Sequence, residues 1–271
     1  MLEVLQLRLR ILTVISITFL ISAPHMIIRE GKVKVRDGDK LTESVRCYAL
    51  SMGADVFGVA DPFDQLLQAA PEGHRPQDYL KRAESVVVLG MVVIESVLHT
   101  TPSTVYSKHY DTINECLNIA AYKLAKFLKK GGYESIYFPE TDNYKALWKQ
   151  YEAGYHKFVP SFNHMAAAEA AGLGKKGICG VLLTPEHGPR VRWISIITEA
   201  PLVKGKAFSG EVCLEKIRPN TCQRCLKSCP IGAISLEGGT DVRRCWIYWN
   251  QLREMGSACG ICIKSCPVGK N

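Results

Sequence analysis

One cysteine pattern, Cys-x2-Cys-x3-Cys-Pro, occurs twice near the end of this chain. The first copy is Cys222, Cys225, Cys229 and Pro230, and the second, 37 residues on, is Cys259, Cys262, Cys266 and Pro267. Cys213 and Cys245 raise the count in this stretch to eight, the number two [4Fe–4S] clusters require at four thiolates each. Cys-x2-Cys lets two sulfurs of one turn reach neighbouring irons, and in two-cluster proteins the cysteine before the proline ligates the other cluster. That rule assigns Cys213, Cys222, Cys225 and Cys266 to one cluster, and Cys229, Cys245, Cys259 and Cys262 to the second.

Other uses of the thiols fit less well. A zinc ribbon would use each Cys-x2-Cys pair and leave Cys229 and Cys266 without a role. A disulfide scaffold suits a short secreted chain, whereas these cysteines crowd into the last quarter of 271 residues. The irregular member is Cys213, nine residues ahead of Cys222 where a spacing of three is common. Pro219 stands at that nearer position, so Cys213 is the nearest substitute.

A chain this long suggests a main domain with a small one appended. We expect an apolar extension over residues 1–25, an α/β domain over 26–205 and a ferredoxin-like module over 206–271. The apolar fraction, 47%, is ample for a core. The formal charge of +8 falls to about +4 once two oxidised clusters, each near −2, are counted. That excess permits an anionic partner such as RNA without arguing for one. Near the N-terminus, Ile11 to Ala23 is an apolar run of 13 residues, short for a bilayer span and close to a signal-peptide core. It lacks a twin arginine, Pro24 makes a poor cleavage context, and clusters are built in the cytosol. The expectation is therefore a cytoplasmic protein starting at Met26, with membrane association through residues 11–23 as the alternative.

Helices and strands alternate from Met26 onward. Leu41–Met52 is predicted as a helix, and Asp55–Ala60 as a short buried strand. Ser85–Val93, a continuous apolar run rich in β-branched valine, is predicted as a central strand covered on both faces. Tyr110–Lys130 is predicted as an amphipathic helix presenting Ile113, Leu117, Ala120, Leu124 and Phe127 or Leu128, stopped at Gly131-Gly132. Strands follow at Ser135–Pro139 and Val191–Thr198. Together these elements define an α/β layered core. Between those strands, Ser161 is positioned to cap an alanine-rich helix ending near Gly172. Gly172, Gly174, Gly177 and Gly180 then fall within nine residues, a density that implies tight turns or close approach to something broad and flat. No G-x-G-x-x-G follows a strand, so a dinucleotide site is poorly supported.

Three features together carry a resemblance: Ala171-Gly-Leu-Gly174, Leu182-Leu-Thr-Pro-Glu-His-Gly-Pro-Arg190, and the doubled cysteine motif. They resemble the epoxyqueuosine reductase and reductive dehalogenase superfamily over roughly Leu41 to Gly269, as a divergent member. Tyr106-Ser-Lys-His-Tyr110 is similar to the tyrosine-bearing segment that opens a long helix there. The resemblance implies a nitroreductase-like core and a bacterial-ferredoxin-like module with cobalamin between them. It also implies electrons passing from the clusters to the cobalt and on to a bound substrate. A low-potential donor of ferredoxin or flavodoxin type and a small-molecule or modified-nucleoside substrate follow from it. The four glycines would lie against the corrin.

Departures from the family pattern limit what transfers. Epoxyqueuosine reductases carry an aspartate ahead of the alanine-rich helix, thought to donate the proton, and Gly154 to His164 contains no carboxylate. Their further C-terminal segments that help hold tRNA have no counterpart after Pro267, and the paired arginines of dehalogenase export signals are missing. Cofactors transfer; neither substrate does, and tRNA is not called for. Tyr110, then His164, are the candidate proton donors, with His156 a further histidine to weigh and Lys175 and Lys176 possible cofactor contacts. Cys47 and Cys116 are expected as small buried hydrophobes, and Cys179 is unassigned. The competing function is a non-catalytic, ferredoxin-type electron-transfer protein.

Overall fold

The computed structural model describes residues 38–140 and 160–270. His156 and the run 11–23 lie outside them. All described residues belong to one compact unit, Val35–Asn271. Its centre is a four-stranded sheet of Val56–Ala60 (β1), Ser85–Val92 (β2), Ser135–Tyr137 (β3) and Val191–Thr198 (β4). The order is β1-β2-β4-β3 and every pairing is antiparallel. The longest ladder joins β2 to β4, from Ser85 opposite Thr198 to Val92 opposite Val191. Ser85 through Met91 are all buried, as a central strand requires. The expected layering of helices and sheet is present: the strands pair antiparallel, and helices pack on both faces of the sheet.

Alternation along the strands divides the core in two. Val87, Leu89, Met91, Ile194 and Ile196 face one way, toward Gly38–Ser51 (α1) and Thr104–Lys130 (α2). Val86, Val88, Trp193 and Ile197 face the other way, toward the alanine-rich helix His164–Ala170 (α3) and the stacked rings of Phe138 and Phe162. Leu117, Leu124 and Leu128 of α2 are essentially inaccessible to water. At about 1.5–3 kcal/mol each, such burial outweighs any helix propensity in fixing α2 on the sheet.

Helix α2 starts six residues ahead of its predicted position. Ser103 is extended and its hydroxyl accepts from the Tyr106 amide at 3.0 Å, capping the helix. The polar run Ser107-Lys-His109 had hidden the period. Asn163 rather than Ser161 caps α3, accepting from Ala166 N at 3.0 Å. Cys47 and Cys116 are exposed rather than buried, lying off the apolar stripes of α1 and α2. Cys47 donates to Glu43 at 3.2 Å.

Candidate functional site

The six cysteines of the doubled motif and Cys213 are carried by loops and single helical turns, and Cys245 by a longer helix. Cys213, Cys222, Cys225 and Cys266 line a single small cavity of about 20 Å³, walled also by Ile178 and Leu183. Cys266 thus leaves its own motif and joins the other. The nine-residue gap behind Cys213 is closed by Glu215, whose carboxylate accepts from the amides of Asn220, Thr221 and Cys222 at 2.7, 3.1 and 2.9 Å. The Cys222 amide, then that of Asn220, hold this carboxyl below its usual range. The two motifs meet at equivalent positions, Ser228 donating to Ser265 across 2.9 Å. Burial pushes the Cys266 thiol up, with Cys225 and Cys222 adding to it against the nearby Arg190.

The second set also forms a neighbourhood. Burial pushes the Cys262 thiol up, and Cys259, Cys245, Cys225 and Cys229 push the same way. Cys245, on Val242–Glu254 (α4), is exposed as a residue. Its sulfur is nonetheless crowded enough that its thiol is pushed up to about 11, by burial first and then by Cys259 and Cys229. None of the eleven cysteines is in a disulfide. Among the described residues no three Cys, His, Asp or Glu side chains converge on one ion position. A cubane spreads four thiolates over four irons, and the first set accordingly stands around a void.

Core residues brace both sets. The buried Arg190 donates to the carbonyls of Cys266 and Val268 at 2.8 and 2.6 Å. Thr101 accepts from Gly260 N at 2.8 Å and donates to Ala258 O at 3.1 Å. Arg253 of α4 reaches back to Ser107 Oγ at 2.6 Å and to both oxygens of Asp111, at 2.8 and 3.0 Å. The Tyr110 ring meets Trp249 of α4 at 5.7 Å between centroids.

Tyr110 is half-buried two turns into α2, and Arg192 of β4 donates to its hydroxyl at 2.8 Å. Arg192 Nε donates to Asn114 Oδ1 at 3.1 Å, and its guanidinium stacks 4.0 Å from the Tyr110 ring centroid. His164 is elsewhere. Its Nε2 donates to Pro139 O at 2.9 Å, and its Nδ1 lies 3.0 Å from Ser195 Oγ. Ser195 and Arg192 are of opposite parity on β4, so the two candidate donors lie on opposite faces of the sheet. His164 ties β3 to β4, and the structure does not bring it to Tyr110.

The glycines have reasons within the fold. A Cβ on Gly172 would lie 1.9 Å from Lys206 O, one on Gly174 2.0 Å from Leu183 O, and one on Gly177 2.7 Å from Leu183 Cδ1. Gly180, at φ +75°, would meet Thr240 Oγ1 at 2.9 Å. The protein's own backbone and side chains make these close approaches, so the glycine spacing no longer argues for a flat ligand. Lys175 pairs with Glu169 at 3.2 Å, and Lys176 N donates to the same carboxylate. Sequence reasoning missed Asn114, Arg190, Arg192 and Glu215. Of these only Arg190 lay in a quoted motif.

No protein-family model matches the chain. The tetrachloroethene reductive dehalogenase of Sulfurospirillum multivorans is 32% identical over 131 residues, 40% of this chain and 24% of that protein. An epoxyqueuosine reductase of Listeria monocytogenes is 32% identical over 91 residues, 34% of this chain and 22% of that protein. The chain thus spans about a quarter of the length of these curated relatives. Among solved structures, a reductive dehalogenase whose structure suggests a mechanism for B12-dependent dehalogenation superposes with TM-score 0.68 at 22% identity. That match covers 90% of this chain and 34% of the other. The chain is a divergent member of the superfamily containing reductive dehalogenases and epoxyqueuosine reductases. No described helix is long and apolar enough to cross a membrane.

Proposed function

We propose that this chain is an iron–sulfur reductase, in which Cys213, Cys222, Cys225 and Cys266 hold one [4Fe–4S] cluster and Cys229, Cys245, Cys259 and Cys262 a second. The observation that carries this reading is the first cavity, where four thiols from three separate segments, Cys266 of the other motif among them, surround one void. Raised thiols are costly to ionise alone, and a bound metal core reverses that local logic by supplying positive charge. Residues 206–271 then form the ferredoxin-like module, docked on a nitroreductase-like core.

Cobalamin belongs to the proposal through the likeness to a structure tied to B12-dependent dehalogenation, not through the glycines. When bound, the cofactors supply low-potential electrons to a substrate. The chain's own residues position and protonate. Arg192, itself fixed by Asn114, orients the Tyr110 hydroxyl and offers it a cation when it gives up a proton. The Tyr110 Oη proton goes to the substrate as it is reduced, and water replaces it. Electrons come from a ferredoxin- or flavodoxin-type donor. The substrate is a small molecule or a modified nucleoside.

Anaerobic reconstitution followed by iron, sulfide and cobalt analysis tests the reading, with about eight iron and eight sulfide per chain expected. Cobalamin should bind at micromolar concentration, and Tyr110→Phe should bind it equally while losing about 100-fold or more in turnover. A zinc-loaded protein overturns the cluster assignment. Two clusters without cobalamin binding leave a ferredoxin-type electron-transfer protein.

A further inference from the structure

We propose that the surface over the first cluster site is where the electron donor docks, and that this surface selects a small acidic carrier protein. The inference rests on the two-cluster reading above and gives the donor a place on the chain. The helical turn Leu214–Ile217 borders the cavity shared by Cys213, Cys222, Cys225 and Cys266. Leu214 lines that cavity and is itself 42% exposed, so the wall there is one side chain thick. Ile217, at the end of the same turn, is 56% exposed. Lys216 and Arg218 on this turn are exposed, as are Arg224 and Lys227 on the turn Arg224–Ser228 that carries Cys225 into the cavity. The only carboxylate between Leu214 and Cys229 is Glu215, and it is buried against backbone amides. Lys216 is partly engaged, 3.7 Å from Glu211 and donating to Lys176 O. Among the described residues, the side chains of Arg218, Arg224 and Lys227 have no hydrogen bond or ion pair.

An ordinary solvated face mixes both signs of charge. Here exposed apolar side chains stand among cations of one sign, the anatomy of a site that receives a partner. The sign calls for a negatively charged partner. The thin wall over the cavity calls for one that exchanges electrons, which favours a carrier protein over a nucleic acid. The second cluster site faces elsewhere: Trp249, one turn beyond Cys245 on α4, meets the Tyr110 ring. That site stands beside the proposed proton donor, and the first is left to meet the carrier. In the step itself one electron leaves the reduced carrier and enters the first cluster, and no bond is made or broken. Redox encounters of this kind bury little area, so charge governs their rate more than contact does.

The test follows oxidation of flavodoxin hydroquinone to its semiquinone by the reconstituted full chain, in anaerobic stopped-flow absorbance. The variant Arg218→Gln/Arg224→Gln/Lys227→Gln should keep about eight irons and accept electrons about 10-fold more slowly at low salt. The parent's rate should fall as salt rises, and the variant's should hardly change. Reduced methyl viologen, a small cation that needs no docking surface, should reduce the variant at least as fast as the parent. Ile217→Ser should slow flavodoxin without altering the salt dependence. Lys123→Gln/Lys126→Gln/Lys130→Gln removes the same charge from exposed positions of α2 and should leave the rate near the parent's. Should the first variant load less iron, Arg218→Gln alone, outside both cysteine turns, carries the same comparison. An unchanged flavodoxin rate with iron retained overturns this proposal alone. An equal loss with methyl viologen, or in the α2 variant, also overturns it. So does an RNA oligonucleotide that binds the parent and not the first variant while flavodoxin rates stay equal. A parent that takes up no iron overturns the two-cluster reading itself.

Discussion

Replacing Arg190 with Met isolates the contact that carries the second motif's last cysteine into the first motif's site. Arg190 is 2% exposed, with one guanidinium nitrogen 2.8 Å from Cys266 O and another 2.6 Å from Val268 O. Its Nε has no hydrogen-bond partner and lies 3.7 Å from Glu95. Glu95 is 39% exposed, and a long, half-solvated pair of that kind contributes well under 1 kcal/mol. The two carbonyl contacts decide the magnitude. A hydrogen bond from a charged group contributes about 1.5–3 kcal/mol, and an orphaned buried carbonyl costs about 1–3 kcal/mol. Met fills most of the vacated volume, so no large cavity term is added. The expected loss is about 3–5 kcal/mol, a large share of the 5–15 kcal/mol typical of a domain. It falls on the backbone of Cys266 itself. Anaerobic reconstitution of Arg190→Met should therefore give about four irons, with Cys229, Cys245, Cys259 and Cys262 still occupied. Arg190→Lys keeps the charge but not the fork and should be intermediate. Eight irons in Arg190→Met, released to a chelator at the parent's rate, would refute the reasoning.

Gly260→Ala should disturb the second site instead, since its Cβ would lie 2.6–2.7 Å from ring atoms of Tyr106, which is 2% exposed and cannot retreat. Overpacking of this kind costs about 1–3 kcal/mol; half the iron should be lost, and Tyr106→Leu in the same chain should restore it. Glu215→Gln turns an amide N–H2 toward backbone donors and should speed iron release from the first site, read by the absorbance decay under chelator. His109 accepts from Ile94 N at 3.0 Å through Nε2, and burial lowers its pKa below 6.5. The unfolded chain therefore protonates first, so this contribution is whole above pH 6.5 and is lost as the pH falls toward the lower folded value. Denaturant midpoints should drop over that window, and less so in His109→Gln.

What was legible in the sequence was whatever depended on neighbours close along the chain. Ser85–Val92 and Val191–Thr198 declared themselves by runs rich in apolar, β-branched residues, and the structure keeps both as strands. The leucines of α2 followed the helical period closely enough to name its buried face. Distant partners were not legible. Gly172 and Gly174 owe their residue type to Lys206 and Leu183 carbonyls, contacts that no local pattern announces. Arg192 reads as one polar residue in an apolar strand until α2 brings Tyr110 and Asn114 against it. The nine-residue gap after Cys213 looked like an irregularity because Glu215, which folds it back, is an unremarkable helix-turn residue by sequence. His164 was chosen for its titration range, yet its two ring nitrogens are engaged with Ser195 and Pro139 across the opposite face of the sheet.

The turn Thr184-Pro-Glu-His-Gly-Pro-Arg190 lies some 75 residues from the final cysteines, yet it carried the same resemblance as they did. The structure supplies the physical reason. Gly188, at φ +55°, comes so close to the last loop that a Cβ there would sit 2.1 Å from Val268 O. The approach is reciprocal: a Cβ on Gly269, at φ +69°, would lie 2.2 Å from Gly188 N. Two stretches of bare backbone touch, and only glycine fits on either side. Backbone contact of that kind shuts out water and strands carbonyls, which is why Arg190 stands at the end of the turn with donors for Cys266 and Val268. Gly188, Arg190, Cys266 and Gly269 are one contact written in two places. A side chain at Gly188 or Gly269, or loss of the Arg190 donors, should therefore displace Cys266 from the cavity it shares with Cys213, Cys222 and Cys225, even though the turn itself contains no sulfur.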